Sequence, residues 1–188
     1  MPPSRQARIR IVCEDVEQRR FLERLCDAWG IGPRRRFVAP LPSGRGAGDA
    51  WVREQYVENV RVVRSQRHQR RLGLVAMIDG DDVGVAERKR SLDAALTASG
   101  AEARDAGEPI AVAVPTWSVE TWLWWLCGED GVDETTPYKR DADYQRAVRA
   151  GDVTPEKAAK AWLAGPRAGE AERVSSLSDA RLELERLP

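Results

Sequence analysis

Acidic residues stand at three places where an apolar run gives way to a polar one: Glu14 after 7–13, Asp79 and Asp81 after 72–78, and Glu120 just beyond 110–114. Carboxylates at such junctions are hard oxygen donors of the kind that hold Mg²⁺ or Mn²⁺. Asp79 and Asp81 lie two apart, so both reach one crevice if the backbone stays extended, while Gly80 removes bulk and lets the chain turn. Carboxylates crowded in this way repel one another unless a cation or a basic group compensates. Glu120 is the only acid in a long apolar stretch, and because burying it unpaired is costly it calls for a metal or an arginine. The plainer use of an acid after a strand is to cap the next helix, and Asp81 or Asp82 is placed to cap one beginning near Val83. An EF-hand is disfavoured: counted from Asp79, the fifth position is Val83 and the twelfth is Arg90, where a bidentate Glu is required.

The elements that position these acids follow from the apolar pattern. Residues 72–78 are all apolar or glycine, which suits a strand covered on both faces in the middle of a parallel sheet. Residues 7–13, 36–39 and 110–114 read as the other strands. Between them, 15–29 carries Phe21, Leu22, Leu25 and Trp29 on one helical stripe, 50–71 carries Trp51, Val52, Tyr56, Val60 and Val63, and 85–99 is a third helix. A further helix is expected to start at Pro115 or Thr116, with Trp117, Trp124 and Trp125 in the core or at an interface rather than stacking on bases. Helices over 155–163 and 178–187 follow. The expected fold is α/β, with about four mainly parallel strands flanked by helices. A catalytic domain over 1–130 and a helical extension over 131–188 packed on or beside it make up the chain.

The chain has 188 residues, 30 Lys+Arg against 30 Asp+Glu, and so no net charge to draw it onto nucleic acid or an anionic membrane. Any basic surface is local. Candidates are Arg45 in the Gly-rich loop 40–49, Arg64 in the basic end of the second helix, and Lys139 in 137–140. The loop fits neither a dinucleotide fingerprint nor a P-loop, because Asp49 closes it and no GK[ST] follows. Cys13, Cys26 and Cys127 are odd in number and far apart, which points to free thiols and a reducing, cytoplasmic setting. No run is long enough to span a bilayer. The sole histidine, His68, sits in an arginine-rich segment, which disfavours serine-triad and zinc chemistry.

Strand–Glu14–helix, strand–Asp79-x-Asp81 and a later junction with Glu120 together resemble the Toprim catalytic domain, more narrowly the small Toprim proteins of the RloB and OLD-nuclease group. The first motif of that group is echoed by Glu14-Asp15-Val16-Glu17-Gln18 with Phe21-Leu22, and its later Pro-x-x-x-Glu-x-Trp-like segment by 115–122. The resemblance implies Mg²⁺ (or Mn²⁺) held by Glu14, Asp79 and Asp81, with Glu120 a further ligand or general base. It implies cleavage of nucleic acid, DNA ahead of RNA with the choice left open, in phage defence beside a partner ATPase, and it is compatible with a homo-oligomer. Two positions depart from the pattern: Asp15 replaces a glycine, and Gln18 replaces an acid expected to serve a second metal. A DxD phosphatase, a nucleotide-sugar transferase and a catalytically degenerate scaffold that works by interaction are the competing readings.

Overall fold

The computed structural model describes residues 2–42, 48–68 and 71–188. Its centre is a four-stranded parallel sheet in the order β2-β1-β3-β4, with β1 Arg8–Cys13, β2 Arg36–Val38, β3 Leu72–Met77 and β4 Ile110–Ala113. The helices are α1 Val16–Ala28, α2 Gly48–Ser65, α3 Val85–Ala98, α4 Val119–Leu126, α5 Ala142–Ala150, α6 Pro155–Leu163, α7 Glu170–Arg173 and α8 Ser175–Leu184. The continuous apolar run of 72–78 is explained by its place: β3 lies between β1 and β4, and all six of its residues are buried.

Alternation along the strands sorts the core into two layers. Ile9, Ile11, Cys13, Val75, Met77, Ala111 and Ala113 pack against Phe21, Leu22 and Leu25 of α1 and Trp122 of α4. On the opposite face Val12, Leu74, Ala76, Ile78 and Val112 meet Val52, Tyr56 and Val60 of α2 and Leu92 and Leu96 of α3. Residues 131–188 do not form a core of their own. Val132, Tyr144, Trp162, Leu177 and Leu184 belong to the same cluster as the α1 face of the sheet.

The free edge of β4 is covered by α8. Glu183, only 7 % exposed, accepts the Val112 N–H at 3.1 Å, and its carboxylate also receives Arg104 and Lys89. Sheet edges left bare invite pairing with other chains, and this one is closed by a helix and a carboxylate.

Three boundaries differ from those expected. The second helix ends at Ser65 rather than near 71, because beyond Val63 no apolar residue through His68 gives the chain a face to bury. The fourth helix begins at Val119 rather than at 115, because the Pro115 carbonyl is used to accept the Gly80 N–H at 2.8 Å and Ser118 is fully extended. Neither Asp81 nor Asp82 caps α3. They sit in a short 3₁₀ turn, and Gly84 precedes the helix without a side-chain cap.

Candidate functional site

The order β2-β1-β3-β4 means that the chain leaves β1 in one direction to make β2 and returns on the other side to make β3. The gap beyond the carboxyl ends of β1 and β3 is therefore the topological switch point, where open α/β sheets bind ligands. Glu14 follows β1 and Asp79 follows β3, with Cys13 paired to Met77 in register. The strand pleat turns the two side chains to opposite sides of this gap. Glu14 lies against Gly48 at the start of α2, and Asp79 against Gln18 of α1.

Three contacts tie the pair together. Glu14 Oε2 accepts the Asp79 backbone N–H at 3.3 Å. Gln18, fully buried, accepts the Glu14 N–H at 2.9 Å through Oε1 and donates from Nε2 to Asp79 Oδ1 at 2.7 Å. Asp15 caps α1 by accepting the Glu17 and Gln18 N–H groups, and its other oxygen receives Lys139 Nζ at 3.1 Å. Two glycines permit the close approach. A Cβ on Gly48 would lie 2.4 Å from Glu14 Cγ, and one on Gly80 would lie 2.4 Å from the Thr116 carbonyl oxygen.

At the rim, Arg88 of α3 donates to Asp49 Oδ2 at 2.9 Å and lies 3.5 Å from Asp81 Oδ2. Arg88 is 8 % exposed, and its Nε has no hydrogen-bond partner. Glu14, Asp15, Asp49, Asp79, Asp81, Arg88 and Lys139 all line one crevice of about 540 Å³. Asp79 is 5 % exposed, whereas Asp81 is exposed and held at a left-handed φ of 44°.

Burial, reinforced by the neighbouring Glu14 and Asp15, pushes the Asp79 carboxyl up to about 8. Glu14 is also raised, chiefly by burial, with the Asp79 N–H working against the shift. For Lys139 partial burial opposes the charge, but Glu120, Asp15 and Asp79 outweigh it and raise the ammonium. Asp49 moves the other way: Arg88 and Arg53 overcome its desolvation and lower it. For the deep carboxyls desolvation outweighs the attraction of Arg88 and Lys139, while at the rim Asp49 is held low by its direct arginine partners.

The sequence expectations for individual residues divide accordingly. Glu14, Asp79, Asp81 and Lys139 meet in the crevice. Glu120 does not: it is buried at the floor of a separate cleft lined by Glu17, Tyr144 and Glu156. Arg64 is turned away from the site, bound to both oxygens of Glu108 at 2.6 and 2.8 Å and to the Glu102 and Ala103 carbonyls. Arg45 lies outside the described residues. Gln18, Gly48, Asp49 and Arg88 were not singled out as site residues; Gln18, at the departure from the first motif, was the one with a signal pointing to it.

Among the described residues no group of three or more His, Cys, Asp or Glu is arranged to hold a metal ion. Glu14 and Asp79 both line the crevice, and Mg²⁺ is an ion commonly held by one or two carboxylates with water completing its shell. No family model matches the chain, and no curated protein or solved structure matches it either. No helix among the described residues is long and apolar enough to cross a membrane.

Proposed function

We propose that the chain is a divalent-cation-dependent hydrolase of nucleic-acid phosphodiester bonds, a Toprim-like nuclease centred on Glu14 and Asp79. One observation carries this reading: two desolvated carboxyls at the switch point of a parallel sheet share a crevice with the cationic side chains Arg88 and Lys139. Two carboxyls that titrate upward are satisfied by a proton or by a cation, and Mg²⁺ suits their hard oxygen donors. Glu14 and Asp79 would hold the ion, with Asp81 at the rim. A bound Mg²⁺ polarises a phosphoryl oxygen and lowers the pKa of a water molecule.

The remaining work falls to the chain. Gln18 Nε2 fixes Asp79 through Oδ1, and the Glu14 N–H fixes Gln18 in turn, so the Asp79 carboxyl does not reorient freely. Arg88 and Lys139 stabilise charge on the phosphate, exchanging their present partners Asp49, Asp81 and Asp15 for substrate oxygens. Glu120 is not the general base in this scheme, since it opens into a different cleft. DNA is the expected substrate, with a partner ATPase controlling access in phage defence and the protein acting in the cytoplasm.

A second reading is favoured by the rim itself. Asp49 and Asp81 already share Arg88, and Asp15 already holds Lys139, as in a scaffold whose charges are balanced from within and which binds a partner without catalysis. Calorimetric titration of Mg²⁺ and Mn²⁺ into wild type and Asp79→Asn, followed by cleavage assays on DNA and RNA, separates the two. Cation binding and cleavage that both vanish in the variant support the nuclease. No cation binding at millimolar concentration turns the reading to the scaffold.

A further inference from the structure

Glu120 lies at the floor of a cleft of about 480 Å³ between α1, α4, α5 and α6. This cleft shares no lining residue with the acidic crevice. The Glu120 side chain is 95 % withdrawn from solvent by its 5 % exposure, and its Oε2 has no hydrogen-bond partner. The charged groups around it are spoken for, and of the uncharged ones the Tyr144 hydroxyl faces both Glu120 and Glu17. Glu17 pairs with Arg20 at 2.5 Å, Arg24 pairs with Glu156 at 2.5 Å, and the Lys139 ammonium, though it feels Glu120, makes its hydrogen bond to Asp15. The lining therefore carries three acids, Glu17, Glu120 and Glu156, against two bases, Arg20 and Arg24. Its walls are apolar: Leu123, Val148, Val153, Pro155 and the ring of Tyr144.

A buried carboxylate oxygen without a donor is costly, and native structures fill such positions. The missing partner has a definite chemistry: a positively charged N–H donor at the end of a stem slender and apolar enough to lie along these walls. We propose that the cleft binds an aliphatic ammonium group, whose N–H donors meet the Glu120 carboxylate while its methylenes lie against Leu123, Val148 and Tyr144. A free polyamine and a lysine side chain of another protein share this chemistry. The site is independent of the acidic crevice and is tested in the presence of EDTA, so failure of either proposal leaves the other standing.

Calorimetric titration of n-butylammonium into the intact chain tests it, with butanol and butyrate as neutral and anionic ligands of the same stem. The expected result is saturable binding of the ammonium alone. Glu120→Gln keeps the shape and removes the charge, so affinity falls about tenfold or more, the loss of a charge-assisted hydrogen bond. Val148→Trp, at an exposed position on the wall, abolishes binding with an unchanged thermal midpoint and serves if the Glu120 variant is poorly folded. Spermidine and Nα-acetyl-lysine methylamide distinguish the sources: tighter spermidine binding assigns a polyamine, tighter binding of the amide assigns a protein partner. Equal affinity of n-butylammonium for wild type and Glu120→Gln overturns the proposal, as does the absence of saturable binding by any of the amines at about 10 mM, a concentration that detects interactions weaker than about 4 kcal/mol.

Discussion

Asp79→Asn removes one charge from the deepest point of the crevice and leaves the side-chain shape and the hydrogen bond from Gln18 Nε2 in place. In the fold the Asp79 carboxyl titrates at about 8, against 3.8 in an unperturbed chain. Between those values the folded protein holds a proton that the unfolded chain has released. Folding stability accordingly falls as pH rises through this interval, by up to about 1.4 kcal/mol per pH unit for one group. From about pH 5 to about pH 8 the loss assignable to Asp79 is on the order of 3 kcal/mol, a large share of a small domain's total stability. The variant has nothing to titrate there. Glu14, raised chiefly by its own burial, keeps its share of the slope, so the part due to Asp79 disappears and the variant is the more stable protein at the alkaline end. Guanidinium unfolding followed by the fluorescence of the seven tryptophans, in EDTA at several pH values, measures both slopes. At about pH 8, saturating Mg²⁺ restores stability to wild type and not to the variant, because a ligand of the folded state alone stabilises by mass action. Equal pH slopes in the two proteins would refute the assignment of a buried, proton-holding carboxyl to this position.

Four further outcomes follow, three from named contacts and one from burial. Gly48→Ala places a methyl 2.4 Å from Glu14 Cγ; the flexible carboxylate swings aside, so the fold survives while cation affinity in calorimetry falls at least tenfold. Gly80→Ala meets the Thr116 carbonyl at the same distance, and since backbone cannot swing aside it lowers stability by about 1–3 kcal/mol in the unfolding assay. Glu183→Ala strands the buried Arg104 guanidinium and the Val112 N–H, and costs about 3–5 kcal/mol. Burial pushes the Cys13 and Cys26 thiols up to about 12, so with a thiol-reactive dye at neutral pH the half-buried Cys127 reacts before either of them.

The strands and the acids at their ends were legible because both depend on local pattern. The run 72–78 announced a central strand by carrying no polar residue, and Glu14 and Asp79 stood at the ends of their strands whatever the sheet order proved to be. The sheet order and the partners of each acid were not legible, because they are made between residues distant in the chain. Gln18 reaches Asp79 across 61 positions, and Arg88 reaches Asp49 across 39. Arg64 shows the same limit from the other side. Its place in a basic helix suggested a phosphate contact, but the side chain is consumed by Glu108 and two carbonyls 38 to 44 positions away. Glu120 stands out in the sequence as an acid among apolar residues, yet helical phase decides which cleft it faces. The Pro115 carbonyl is tied to the Gly80 N–H and Ser118 is extended, so α4 starts three or four residues later than the pattern suggested and presents Glu120 between α1 and α5.

The helix that closes the β4 edge is synthesised after every strand it protects. Every strand of the sheet precedes α8, so on the ribosome β4 can pair with β3 while its outer edge and the apolar surface beneath Leu177, Ala180 and Leu184 are still bare. At about 5–20 residues per second the interval between the emergence of β4 and that of α8 lasts seconds, ample time for two nascent chains to join edge to edge. Glu183 then acts as a latch rather than only a brace: once its carboxylate takes the Val112 N–H, the edge no longer offers that donor to a second strand. Chains truncated near residue 130 would leave the latch permanently off, and their insolubility would report a missing lid on the sheet rather than a misplaced domain boundary.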